Sequence, residues 1–183
     1  MARDADQIFT VGHSTHPLER FLALLRRHGV RVVADIRRYP GSRRHPHFDA
    51  EHLGSALAKH QIDYQPLGDS LGGRRRPRPD SLNGAWQVEG FRAYADHMST
   101  PEFATGLRRL EDLARAVPTA FMCAEADWRR CHRRLVSDAL VVRGWQVLHV
   151  LRDGSVESHA LTPFAAVEGH RISYPAPQTT LET

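Results

Sequence analysis

The chain has 183 residues, 41% of them apolar, which is enough to bury a sizeable core and excludes wholesale disorder. No apolar run approaches the roughly 18 residues that a membrane span needs. The formal net charge is +4 with 25 basic residues, Lys59 being the single lysine among them, so anionic partners are favoured over basic ones.

Residues 7–13 (QIFTVGH) form a short apolar run that predicts a buried strand entering a Gly-His-Ser-Thr loop. Pro17 then opens an amphipathic stretch, PLERFLALLRRHG, that predicts a helix with proline at its first turn and Gly29 just past its end. Residues 30–36 (VRVVADI) predict a second buried strand, and residues 37–48, with two prolines, one glycine and four arginines, predict a loop. Residues 49–59 read as a helix capped by Asp49, and residues 62–67 as a third, weaker strand. A long Gly/Pro/Arg-rich connection occupies residues 68–87, a length that is usually functional or disordered. Residues 88–99 and 100–116 predict helices, the second started by Pro101. Residues 118–123 (PTAFMC) predict a fourth strand, residues 129–143 a helix ending at Gly144, and residues 145–151 a fifth strand. Periodicity is lost from Asp153, and PAPQTTLET reads as a frayed tail.

Strands therefore alternate with helices. The expected fold is α/β: a single domain with a mostly parallel sheet of about five strands and helices on both faces. Residues 1–152 would form the domain, and residues 153–183 a C-terminal extension with a partly disordered tail. Ligands in such folds bind beyond the carboxyl ends of the strands. The polar clusters follow that rule: His13, Ser14 and Thr15 follow the first strand, Asp35 to Arg38 end the second, and Cys123 to Glu125 end the fourth. One composite site at that rim is the expectation.

Half of the arginines fall into three windows: Arg37, Arg38, Arg43 and Arg44; Arg74, Arg75, Arg76 and Arg78; Arg129, Arg130, Arg133 and Arg134. Codon bias scatters arginine, whereas use of its planar fork on phosphate or carboxylate clusters it. Two cysteines, Cys123 and Cys131, are too few for a disulfide framework, and the N-terminal stretch MARDADQIFTVGH has no apolar signal core. The expectation is a cytoplasmic location with both thiols reduced.

The segment CAEADWRRCHRR, residues 123–134, concentrates chemistry. A thiol at a strand end facing a helix start feels the helix dipole and nearby cations, which favour a thiolate. The Cys-x5-Arg spacing to Arg129 is similar to the anion-cradling loop of cysteine phosphatases and the sulfur-transfer loop of rhodaneses. Against that, Glu125 and Asp127 place carboxylates where an oxyanion would sit, and the loop has no glycine to wrap one. Cys131 and His132, with Cys123, offer donors for zinc or iron, but adjacent residues on a helix diverge by about 100° and no Cys-x2-Cys pair exists. No cofactor is therefore expected, and a metal ligated by Cys123, Cys131 or His132 is the alternative. Asp35 and His13 suit acid/base work, and Ser42 with Arg43 sits in a proline-stiffened loop suited to a phosphate contact. Trp86, Phe91 and Tyr94 are candidates for stacking a base.

Together TVGHST, VVADIRRYPGSRRHPHF, the Leu-Gly-Gly-Arg of residues 71–74, YADHM and FMCAEADWRRCHRRLVSDAL resemble domain of unknown function family 488, over about residues 8–150. The resemblance implies a cytoplasmic α/β domain and names no reaction. Positions that match the family pattern are Gly12, His13, Ser14, Asp35, Arg37, Pro40, Ser42, Arg43, Cys123, Glu125, Cys131, His132 and Arg133.

The expected function is that of a small enzyme acting on an anionic substrate, a nucleotide or nucleic acid, with no membrane partner. Cys123, Glu125, Asp35, His13 and His132 are the candidate catalytic residues, and Ser14, Arg37, Ser42, Arg43 and Arg133 the candidate ligand-binding ones. Two alternatives stand beside it: a non-catalytic nucleic-acid-binding module, and a cysteine-based sulfur- or phosphoryl-transfer enzyme or structural-metal protein.

Overall fold

The computed structural model describes residues 6–177. In chain order it contains β1 (Gln7–Gly12), α1 (Leu18–Arg27), β2 (Val32–Asp35), a 3₁₀ turn (Pro46–Phe48), α2 (Ala50–Lys59), β3 (Asp63–Pro66), the single turn α3 (Gly68–Leu71), α4 (Glu89–His97) and α5 (Pro101–Ala116). There follow β4 (Thr119–Cys123), a second 3₁₀ turn (Trp128–Arg130), α6 (Arg133–Val142), β5 (Gln146–Val150), β6 (Val156–Ser158), β7 (Ala166–Glu168) and β8 (Arg171–Ser173). The main sheet has the order β3-β2-β4-β1-β5-β6, with β1 to β5 parallel and β6 antiparallel at the edge. The α/β layering expected from the alternation is present, with one more strand in the sheet than the five expected and a separate β7–β8 hairpin. No helix among the described residues is long and apolar enough to cross a membrane.

Alternation along each strand divides the core into two layers. Val11, Val33, Ala120 and Met122 point to one face, where Phe21, Leu22 and Leu25 of α1 and Leu53 and Leu57 of α2 cover them. Ile8, Ala34, Phe121 and Val147 point to the other, under Tyr94 of α4, Phe103, Leu107 and Leu110 of α5 and Leu135, Val136 and Leu140 of α6. Because central parallel strands are buried on both faces, they read as continuous apolar runs in the sequence. The helix signals also hold locally. Thr100 Oγ1 accepts from Phe103 N at the start of α5, and Gly29 after α1 adopts a φ of +65° that lets Val30 N reach back to Leu25 O.

The segment after residue 153 has no sequence periodicity, yet a buried polar chain ties it to the sheet. His149 on β5 donates through Nε2 to His159 Nδ1 (2.9 Å), and His159 Nε2 donates to Asp138 Oδ1 on α6 (2.8 Å). Asp138 Oδ2 accepts from Tyr174 Oη (2.7 Å), and Tyr174 is itself fully buried. Residues 178–183 of the expected tail lie outside the described residues.

A second tie holds α5 to the turn after α6. Glu111, 2% exposed, accepts from Arg143 Nε and Nη2 (2.7 and 2.8 Å) and from Trp145 Nε1 (3.0 Å). Glu111→Gln removes the charge and leaves three donors facing one acceptor. We expect a loss of about 2–3 kcal/mol in chemical denaturation, with the denaturant slope unchanged.

Candidate functional site

The carboxyl edge of the sheet is built around one buried guanidinium. Arg133, at the first position of α6, is 1% exposed. Its Nη2 donates to the carbonyls of Glu125 (2.6 Å) and Ala126 (3.3 Å), and its Nη1 to Thr10 Oγ1 on β1 (3.2 Å). No carboxylate pairs with it among the described residues. These bonds draw the loop after β4 across the end of β1. The crossing requires Gly12, since a Cβ there would overlap the Glu125 carbonyl and press on the Arg133 guanidinium. Backbone bonds from His13 N to Cys123 O (3.0 Å) and from Ser14 N to Ala124 O (2.9 Å) close the crossing.

That loop returns Cys131 and His132 to Cys123. Cys131 follows the second 3₁₀ turn in extended backbone (φ −121°, ψ 149°), and His132 is the residue before α6. The two side chains are therefore not on a regular helix, and the divergence expected of helical neighbours does not apply. His132 Nδ1 lies 3.7 Å from Cys131 Sγ and 4.0 Å from Cys123 Sγ. Its Nε2 donates to the Ile36 carbonyl (3.1 Å), so Nδ1 carries the lone pair. The neighbouring Cys131 sulfur pushes the Cys123 thiol well above its usual range, with burial adding to the rise. The same contact pulls Cys131 well below its range against the opposing effect of burial, with the Arg133 charge adding to the fall.

The second wall comes from β2. Asp35, 1% exposed, grips Arg37 through Nε (2.9 and 3.1 Å) and Nη2 (2.6 Å), and also accepts from Tyr64 Oη (2.7 Å). The remaining arm, Arg37 Nη1, donates to His13 Nε2 (3.3 Å), while His13 Nδ1 donates to the Ser14 carbonyl (3.0 Å). The ring of His13 stacks on Phe48 at 4.2 Å. Burial lowers the His13 pKa to about 4, against an opposing pull from the Ser14 carbonyl; the Arg37 charge adds to the fall. His13 is thus a neutral support for Arg37, with both ring nitrogens occupied.

Between the walls lies a cleft of about 190 Å³. Buried Arg37 and half-buried Arg38, Gly73, Cys123 and His132 line it, with exposed Tyr39, Arg74 and Ala124 at its rim. Larger grooves run between α1 and α2 (about 480 Å³) and beside β7 and β8 (about 930 Å³), but none of the candidate catalytic or ligand-binding residues lines either.

Of the expected site residues, Cys123, His132 and Arg37 meet at this cleft. Asp35 and His13 sit behind Arg37 and do not line it. Glu125 does not join them: it is exposed, with its carboxylate accepting from Asp127 N (3.2 Å). Arg133 is a buried clamp with no face to a ligand, and Arg43 is exposed away from the cleft lining. Ser42 Oγ accepts from His45 N (3.1 Å), and Ser14 occupies a left-handed turn (φ +46°). Trp86 and Tyr94 are core residues, 5% and 1% exposed, with Phe91 packed against them. The aromatic at the site is instead Tyr39, 62% exposed, with the guanidinium carbons of Arg38 and Arg74 at 5.9 and 5.8 Å from its ring centre. Arg74 was visible in the sequence as part of a basic window and Gly73 as part of the Leu-Gly-Gly-Arg segment; neither Gly73 nor Tyr39 was read as a site residue.

The family model described as Domain of unknown function DUF488 matches residues 17–140, more than half of the chain, and the chain belongs to that family. No curated protein and no solved structure matches it.

Two outcomes follow from this geometry. Arg133→Met strands two part-buried carbonyls and the buried Thr10 Oγ1, and should cost about 2–4 kcal/mol in chemical denaturation. The folded state holds His13 neutral down to about pH 4, whereas the unfolded chain protonates it near pH 6.5. Its contribution to stability is therefore present above pH 6.5 and is lost as the pH falls towards 4. Between pH 7 and 4.5 the wild type should lose about 2–3 kcal/mol more than His13→Gln does, read as denaturation midpoints at each pH.

Proposed function

We propose that the chain is an enzyme acting on an anionic, phosphate-bearing substrate, a nucleotide or a nucleic-acid end, in the cleft at the carboxyl edge of the sheet. The observation that carries this reading is the pair of guanidinium groups lining that cleft. Neither Arg38 nor Arg74 has a carboxylate partner among the described residues, and Arg38 Nη1 is buried with no hydrogen-bond acceptor. Two positive charges lining one small cleft without a counter-ion are relieved by a bound anion, and planar guanidinium forks suit phosphate oxygens. Arg37, neutralised by Asp35, is fixed in place and supplies one wall.

The cleft is smaller than the roughly 300–1,000 Å³ typical of ligand pockets. It accommodates a phosphate and the group attached to it, leaving the remainder of a nucleotide outside. Exposed Tyr39 stands at that exit as a surface on which a base can stack. Cys123 and His132 line the cleft, where the reacting atoms would lie. Exposed Arg43, Arg44 and Arg76 favour a second reading, a nucleic-acid-binding module without catalysis.

Calorimetric titration with inorganic phosphate and a nucleoside 5′-monophosphate tests the proposal. The wild type should bind the nucleotide more tightly than phosphate. Arg74→Ala should weaken both by about 10-fold or more, as expected for a lost charge-assisted contact, with an unchanged melting temperature because Arg74 is exposed. Binding of neither anion would overturn the reading. A salt-sensitive affinity for oligonucleotides that ignores Arg74→Ala would favour the module.

A further inference from the structure

We propose that Cys123 Sγ, Cys131 Sγ and His132 Nδ1 form a binding site for a borderline-soft divalent cation, zinc foremost, whose fourth coordination position opens into the cleft. The three donor atoms all lie within 4.8 Å of one another. A tetrahedral zinc with Zn–S of about 2.3 Å and Zn–N of about 2.0–2.1 Å has sulfur-to-nitrogen edges of about 3.5 Å. The 3.7 and 4.0 Å separations to His132 Nδ1 are a few tenths of an ångström from that frame.

The convergence is threefold, and a thiol pair alone does not explain it. The Ile36 carbonyl takes the Nε2 proton of His132, so the Nδ1 lone pair is directed at both sulfurs at once. One lone pair serves a single thiol donor well. A cation at the centre serves all three atoms, and a carbonyl that fixes the tautomer from behind is the usual support of a metal-bound histidine. A disulfide between Cys123 and Cys131 would satisfy the sulfurs and leave that lone pair with no partner.

The space beside the donors is also kept open. A Cβ on Gly73 would stand 3.1 Å from His132 Nδ1, at the position next to the metal that the backbone of Gly73 leaves clear. Cys123 and His132 line the cleft, whereas Cys131 is buried behind them. Two thiolates and one imidazole with an open position are a ligand set of the catalytic kind, in which water or a substrate oxygen completes the tetrahedron. That position faces the arginine rim where the anion is proposed to bind, but the metal site stands on its own observations.

The test is metal content of the reduced full-length chain, loaded with zinc and freed of loosely held ions. The wild type should retain about one zinc per chain, and Cys123→Ser and His132→Ala each less than about a fifth of that. Cobalt in place of zinc should give a thiolate charge-transfer band and the intense visible bands of a four-coordinate site. Arg74→Ala should keep the full metal content, so loss of anion binding and loss of metal are separable. Either a zinc content near zero in the folded wild type or a cobalt spectrum without thiolate bands would overturn the proposal. So would full zinc retention by both ligand variants. Circular dichroism of each variant distinguishes ligand loss from unfolding, and zinc protection of the wild-type thiols from alkylation gives a readout that needs no variant.

Discussion

A positive charge buried with no carboxylate partner among the described residues organises this molecule. Arg133 is the largest almost fully buried side chain among the described residues; its Nη1 and Nη2 are held by a threonine hydroxyl and two backbone carbonyls, while its Nε has no partner among them. Taking a guanidinium out of water is costly, and the cost is offset only while those oxygens stay in place. The arrangement is therefore reciprocal: the loop after β4 is held because the charge needs it, and the charge is tolerated because the loop is there. Since the same residue opens α6, the two positions before it, Cys131 and His132, are delivered to Cys123 as part of the same constraint. Gly12 is the steric counterpart, leaving the crossing free of a side chain.

The Asp35–Arg37 pair plays a different role at the adjacent strand end. Strand alternation sends Asp35 to the α1–α2 face and Cys123 to the rim of the α4–α6 face, so the two never point into one space. Arg37 spans the edge between them. Its fork is consumed by Asp35, and its last nitrogen by His13, which leaves a rigid wall with little free charge. Arg38 and Arg74 have no such carboxylate partners among the described residues, and the proposed anion contacts would fall to them. Carboxylate and thiol chemistry, equally plausible along the chain, are thereby separated in space, and only the thiol and imidazole reach the cleft.

The fold was largely legible in the sequence. Apolar runs at residues 7–13, 30–36 and 118–123 announced central parallel strands because both of their faces are covered. Residues after 153 were opaque, since β6 is three residues long and the segment is held by His159 and Tyr174 reaching Asp138, contacts with no periodicity. The location of the site at the carboxyl edge was also readable, as were Arg37, Cys123 and His132 within it. Glu125 misled because residue type says nothing about which way a loop carboxylate turns. Cys131, named in the sequence only as an alternative metal donor, was discounted by the helical reading of residues 129–143, which the 3₁₀ turn interrupts just where the orientation matters. Tyr39 was hidden because a single exposed aromatic in a basic loop has no pattern to reveal it.

The central claim is that one cleft, set between the ends of β2 and β4, brings unpaired guanidinium groups to a thiol–imidazole cluster. A crystal structure grown with zinc and phosphate, with anomalous data at the zinc edge, examines it directly. The account predicts an anomalous peak among Cys123 Sγ, Cys131 Sγ and His132 Nδ1, and phosphate density bridging Arg38 and Arg74 beside it. Phosphate bound only at the exposed arginines of residues 76–78, with the cleft closed and the Cys123 and Cys131 sulfurs turned apart, would contradict it.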